Sequence, residues 1–158
     1  MRIGSGYDVH AFCEGDHLIL GGIKIPFHKS FKAHSDGDVL IHAICDALLG
    51  ALALGDIGHL FPPNDNQWKD CNSDVFLKHI HNLILEKGYQ IGNIDTTIIC
   101  EKPKIKPYIS SIQTNLSEIL GINHKQISIK ATTTEKLGFC GREEGIAVQA
   151  VCLLEKTT

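Results

Sequence analysis

Several signatures that sort chains into functional classes are missing from these 158 residues. Positive charge is not in excess: 15 Lys and Arg stand against 18 Asp and Glu, giving a net charge of -3, and no basic stripe marks a nucleic-acid surface. No apolar run is long enough to cross a bilayer. The most apolar stretch, residues 39–54, carries His42 and Asp46 in its middle. The first ten residues, MRIGSGYDVH, lack the apolar core of a secretory signal. These absences read as a cytoplasmic protein with neither membrane nor nucleic acid among its partners. The six cysteines include no CxxC pair, which excludes a zinc ribbon or a thioredoxin-like redox motif and leaves small, reduced, mostly buried thiols. Repeats, low-complexity tracts and linkers are absent too, so residues 1–158 read as a single domain.

What is present is enough apolar residue, 43% of the chain, for a sizeable core. Residues 1–9 read as a strand, and 18–25 as a hairpin turning at Gly21-Gly22. Residues 27–37 read as a polar loop, 38–54 as a buried helix, and 55–72 as a long loop punctuated by Gly58, Pro62 and Pro63. Ser73 is expected to cap a second helix that ends near Lys87, with Gly88 as its stop. A strand over 91–100 follows, then a helix started by Pro107 and closed by Gly121. Strands over 126–132 and 145–154 flank a loop at 133–143. Strands alternating with helices predict the α/β class, an α+β sandwich of one sheet covered by helices.

Asp8 and His10 stand two apart, which on a strand puts both on one face. With nine His in the chain, D-x-H is expected roughly 0.6 times by chance, so the pair alone is weak. His42 strengthens it. An imidazole inside the most apolar helix needs a partner. Either Asp46, one turn on, satisfies it as a core histidine, or His42 is a third metal ligand with Asp46 behind it as an orienting group. Two His and one Asp suit zinc and leave the fourth tetrahedral position open, the catalytic arrangement.

His34-Ser35-Asp36-Gly37-Asp38 leads into the same helix. Asp36 or Asp38 serves as N-cap, and the helix start could also receive a phosphate. Gly55 reads as the helix stop, and Asp56 either opens a tight turn or grips sugar-like hydroxyls. Residues 130–142, KATTTEKLGFCGR, gather hydroxyls, glycines, Glu135 and Arg142 between two strands. They fit a polar turn or a phosphate cradle in which Glu135 holds a hard cation.

Three stretches together, MRIGSGYDVHAF (1–12), AHSDGDVLIHAICDALLGALALGDIGHLFP (33–62) and KATTTEKLGFCGREEGIA (130–147), resemble 2-C-methyl-D-erythritol 2,4-cyclodiphosphate synthases of the non-mevalonate route to isoprenoids. The resemblance implies a homotrimer of subunits with a mixed sheet and helices, and active sites between subunits. It implies conversion of 4-diphosphocytidyl-2-C-methyl-D-erythritol 2-phosphate to the 2,4-cyclodiphosphate with release of CMP. Asp8, His10 and His42 match zinc ligands, one ion per chain. Glu135 matches the ligand of a Mg²⁺ or Mn²⁺ ion that comes with substrate. His34 and Thr133 match residues that stabilise the transition state.

Substrate contacts are implied at Asp8, His10, His34, Ser35, Asp56, Ile57 and Gly58, and over Phe61, Pro62, Pro63, Asn64 and Asp65. The cytidine-diphosphate pocket matches Cys100, Glu101, Lys102, Pro103, Lys104, Ile105 and Lys106, with Ala131, Thr132 and Thr133. Thr134, Glu135, Phe139 and Arg142 complete the set of substrate contacts. An isoprenoid diphosphate near the trimer axis is a further implied partner. Two positions depart from the family pattern: Pro63 and Gln149 stand where some members have Asp and Glu. The competing reading is a non-catalytic trimeric sensor of isoprenoid diphosphates, with Arg142 as its key residue and a structural zinc. An open metal site with His34 and Thr133 in place argues against it.

Overall fold

The computed structural model describes residues 1–62, 64–68 and 70–157. Its centre is a five-stranded mixed sheet in the order β4-β1-β7-β5-β6, formed by β1 (Arg2–Glu14), β4 (Lys29–Phe31), β5 (Tyr89–Ile99), β6 (Ile127–Thr132) and β7 (Gly145–Lys156). Only the β5–β6 pair is parallel. The short strands β2 (His17–Leu20) and β3 (Ile23–Pro26) make a separate two-stranded sheet. The expectation of one sheet is corrected to that extent. Their turn is at Gly21-Gly22, with φ of 58° and 75°, which a glycine pair adopts without strain.

One face of the large sheet is covered by helices. The central one is α1 (Val39–Ala51), which lies against β1 and β7 and is buried nearly all round. Asp38 caps it by accepting the Ile41 N–H at 3.0 Å, and its two oxygens also take the N–H groups of Gly21 (2.9 Å) and Gly22 (2.7 Å). One carboxylate thus fastens the hairpin to the helix. Burial pushes the Asp38 pKa up to about 6 against the pull of those three donors. Chain reversal after α1 comes from Ala53, at φ 56°, not from Gly55 as expected.

Beyond it lie a single turn α2 (Ile57–Leu60), then α3 (Ser73–Glu86), α4 (Ile109–Leu120) and a second single turn α5 (Gly138–Gly141). The short β4, α2 and α5 fall within segments read as loops, because one turn or three residues leave no periodicity to detect. Pro107 sits in a 3-10 turn ahead of α4, and Gly121 closes that helix in the left-handed region.

The local cause of the close α1–β1 packing is a pair of glycines. Residues 4, 6, 8 and 10 of β1 share the face toward α1. A Cβ on Gly4 or Gly6 would overlap the carbonyl oxygens of Ala47 or Ala43. Without side chains there, the helix backbone settles directly on the strand, and the next two residues on that face, Asp8 and His10, are carried up to His42. The opposite face of the sheet exposes Ile3, Tyr7, Val9 and Val151.

Candidate functional site

The three ligand candidates converge. His10 Nε2 lies 3.0 Å from Asp8 Oδ2 and 3.1 Å from His42 Nδ1, and His42 Nδ1 lies 3.3 Å from Asp8 Oδ2. Tetrahedral zinc, with bonds of about 2.0–2.1 Å, needs ligand atoms roughly 3.3–3.4 Å apart, so this triangle fits with a small expansion. All three residues are half-buried, which leaves one side open. Burial alone would raise the Asp8 pKa, but hydrogen bonds and charge from His10 and His42 hold its carboxyl well below the usual range. Burial likewise works to depress His42, and the Asp8 carboxylate overrides it and raises the imidazole pKa. A carboxylate that stays ionised beside two imidazoles is a donor set for a divalent cation.

Asp46 does not orient His42. It accepts the Ile57 N–H at 2.8 Å and so holds the start of α2. The partner of His42 Nε2 is Ser73 Oγ, at 2.9 Å. Ser73 is also not the helix cap: it is the first residue of α3, and Asn72 precedes it without a side-chain cap bond. Sequence reasoning missed this because a serine at a helix start already has a sufficient local explanation.

His34 and Ser35, both exposed, line a cavity of about 290 Å³ with His42, Ile57, Gly58, Phe61 and Pro62. Three further residues line it that were not singled out: Trp68, Asp70 and Phe76. Phe61 packs against Phe76 and Trp68 at 4.6 and 4.7 Å between ring centroids, giving the cavity an apolar wall. The signal that could have found Trp68 is the chain's one tryptophan standing in a polar loop. Asp56 caps α2 by accepting the His59 N–H at 2.8 Å. Asn64 and Asp65 are exposed, and Pro63 lies outside the described residues.

A second cavity, of about 140 Å³, is lined by Cys100, Glu101, Pro103, Lys104, Ile105, Lys106, Ala131, Thr132 and Thr133. The stretch 100–106 and the end of β6 thus line one cavity, with Lys102 exposed nearby. Glu101 stitches the two together, accepting the N–H groups of Thr134 (3.2 Å) and Lys136 (3.1 Å). Glu135 and Lys136 hold φ of 53° and 64°, a left-handed turn that exposes the Glu135 carboxylate. Phe139 is exposed on α5, and Arg142 is paired with Glu144 at 2.7 Å.

The two clusters are not adjacent within the chain. Val9 pairs with Ala147, Ala147 with Ile99, and Ile99 with Thr132. The metal-type triad and the 132–135 segment therefore stand at the same end of the sheet, three strand spacings or about 14 Å apart.

A family model described as the YgbB family matches residues 1–155. The 2-C-methyl-D-erythritol 2,4-cyclodiphosphate synthase of Marinobacter nauticus is 58% identical over 155 residues, covering 98% of each chain. Among solved structures, the bifunctional IspDF of Campylobacter jejuni superposes with a TM-score of 0.94 at 44% identity, covering 98% of this chain and 42% of that longer one. IspF of Plasmodium falciparum, in a CDP complex, gives a TM-score of 0.87 at 42% identity over 99% of this chain and 97% of its own.

Proposed function

The chain belongs to the YgbB family of 2-C-methyl-D-erythritol 2,4-cyclodiphosphate synthases, and on that premise we propose how its own residues carry the reaction. The protein is an enzyme of isoprenoid biosynthesis, a phosphorus–oxygen lyase. It converts 4-diphosphocytidyl-2-C-methyl-D-erythritol 2-phosphate to 2-C-methyl-D-erythritol 2,4-cyclodiphosphate and CMP. An oxygen of the 2-phosphate bonds to the β-phosphorus, the bond from β-phosphorus to the bridging oxygen breaks, and its electron pair leaves on CMP. No protein nucleophile is needed, because both reacting groups belong to one substrate and the protein's task is to fold it.

We assign the substrate's halves to the two clusters. The 140 Å³ cavity, with the lysines of 100–106 around it, receives the cytidine diphosphate. The 290 Å³ cavity with its Phe61 and Phe76 wall receives the methylerythritol carbon chain, and Ser35, Ile57 and Gly58 border its hydroxyls. Asp8, His10 and His42 hold zinc, and Glu135 holds Mg²⁺ or Mn²⁺. When bound, these cations supply Lewis-acid polarisation and charge neutralisation to the diphosphate. His34 and Thr133 donate hydrogen bonds to the charge that develops on the transferring phosphoryl group.

The observation that carries the assembly is the 14 Å separation of clusters that one diphosphate must bridge. A cyclic homotrimer would bring the metal half of one subunit against the 132–135 half of its neighbour. The apolar outer sheet face, with Ile3, Tyr7, Val9 and Val151, supplies surface to bury in such an assembly. An isoprenoid diphosphate near its axis would rest on Arg142, whose exposed pair with Glu144 is weak enough to yield. A cytoplasmic setting fits six cysteines free of disulfides, and among the described residues no helix is long and apolar enough to cross a membrane. Incubation of the purified protein with the CDP-linked substrate, scored for CMP and cyclic product, tests the reading. Absence of CMP with both metals supplied would refute it.

A further inference from the structure

The geometry behind the triad assigns a role to two residues outside it. We propose that Ser73, held by Asp36, is a positioning residue that locks the His42 imidazole in its Nε2–H tautomer and thereby presents Nδ1 as the ligand nitrogen. This rests on reading Asp8, His10 and His42 as a metal site.

A neutral imidazole carries one N–H and one lone pair, and only the nitrogen with the lone pair can ligate. Which nitrogen that is depends on the hydrogen bond made by the other. His42 Nε2 meets Ser73 Oγ at 2.9 Å, while Nδ1 faces Asp8 and His10. A serine hydroxyl could donate or accept there, and the first option would put the proton on the wrong nitrogen. Asp36 removes the choice. Its Oδ1 lies 2.5 Å from Ser73 Oγ, and an ionised carboxylate only accepts, so the serine proton points at Asp36. The serine lone pairs then face His42, which makes Nε2 the donor on this side; Nδ1 faces the Asp8 carboxylate, another acceptor, so the lock is complete once a cation takes the Nδ1 lone pair.

Asp36 is itself fixed from two segments, taking the Ser73 N–H on Oδ2 at 2.8 Å and the Asp38 N–H on Oδ1 at 3.1 Å. Ser73 is fully buried, so bulk water cannot replace its hydroxyl. The relay spans three elements: the loop before α1, α1 itself and the first residue of α3. Docking of α3 therefore sets the ligating nitrogen of a residue on α1.

The test uses the full chain labelled with ¹⁵N and loaded with one equivalent of zinc. Long-range ¹H–¹⁵N spectra assign the tautomer, with His42 identified by the signals lost in His42→Ala. The expected result is a single Nε2–H form in the wild type. Ser73→Ala should give a mixture and weaken zinc binding by about tenfold or more in chelator competition. Asp36→Asn, whose amide can donate to the serine oxygen, should shift the population toward Nδ1–H. A wild-type Nδ1–H tautomer would overturn the proposal with no variant required. So would a folded Ser73→Ala protein that keeps both the tautomer and the zinc affinity. Failure of the wild type to bind zinc would refute the metal reading on which the proposal rests, an outcome distinct from either of these.

Discussion

The triad and the 133–136 turn, the two clusters proposed to meet a phosphate-rich substrate, are held in opposite ways. Asp8, His10 and His42 stand on a strand and a helix whose backbones touch, and their ligand atoms lie within 3.3 Å of one another. The 133–136 turn is an exposed loop with two non-glycine residues in the left-handed region, tied down chiefly by Glu101. The difference teaches a division of labour. Ligands must match a fixed bond length and are set by core packing. A turn that follows phosphates of a flexible substrate needs only correct backbone direction, which one carboxylate can impose.

The most severe way to break this contrast is to remove a ligand. His42→Ala should lose its zinc and about a thousandfold or more in kcat, because the Lewis acid accounts for several kcal/mol of the barrier. Metal analysis and CMP release check it, and full zinc content would show that His42 is not a ligand.

Next in size is a change that touches no ligand. Gly6→Ala puts a methyl group into the Ala43 carbonyl and must push α1 off β1. It should cost about 1–3 kcal/mol in urea denaturation and weaken zinc binding as well. The matched change in the exposed segment, Gly138→Ala, meets nothing within 4 Å and has only its φ of 67° against it. About 1 kcal/mol and unchanged zinc affinity are expected there. Equal zinc loss in both would erase the distinction between a packed half and an exposed one.

Smaller still is Glu135→Gln, which should retain zinc but require roughly tenfold more Mg²⁺ or Mn²⁺ for half-maximal turnover, since a charged oxygen ligand becomes neutral. An unchanged metal requirement would remove Glu135 from that role.

The weakest effect is on pH. Asp8 is lowered by His10 and His42, and His42 is raised by Asp8, each against its burial. The Asp8 contribution to metal-free stability is present above the unfolded carboxyl value near ~3.9 and is lost as pH falls through its lowered folded value. The His42 contribution is present below about 6.5 and is lost as pH rises through its raised folded value. Metal-free protein should keep both between about pH 4 and 6.5. Zinc-loaded protein should gain stability as pH rises, because ligation displaces the His42 proton. Denaturation midpoints in EDTA and in zinc should therefore diverge upward from pH ~6.5, and parallel curves would contradict the pairing.

The long elements and the metal triad were legible in the sequence because periodicity and spacing are local properties. Asp8 and His10 two apart on a strand, and His42 in an apolar helix, needed no tertiary knowledge beyond the guess that the two elements meet. The reason they meet was written in Gly4 and Gly6, yet a glycine's meaning depends on what lies across from it. Asp46 was a natural partner for His42 by helical spacing. It lost to Ser73 because a residue 31 positions away can approach Nε2 when α3 docks, and no pattern along the chain records that. Trp68 offered only its rarity as a signal and Phe76 none, because their cavity is made where Phe61 and Trp68 pack against Phe76 of α3. The separation of the two clusters across the sheet follows from strand order, which composition and periodicity do not determine.

The central claim is that each active site joins the triad of one subunit to the 132–135 segment of another. It is tested by complementation between two inactive proteins, Asp8→Ala and Thr133→Val, unfolded together in equal amounts and refolded, with each refolded alone as control. In a cyclic trimer every mixed assembly contains one interface with an intact metal half facing an intact phosphate half, so random mixing should restore roughly one quarter of wild-type activity. Activity that stays near zero, with mixed trimers confirmed by native mass spectrometry, would mean that each site is built within one chain.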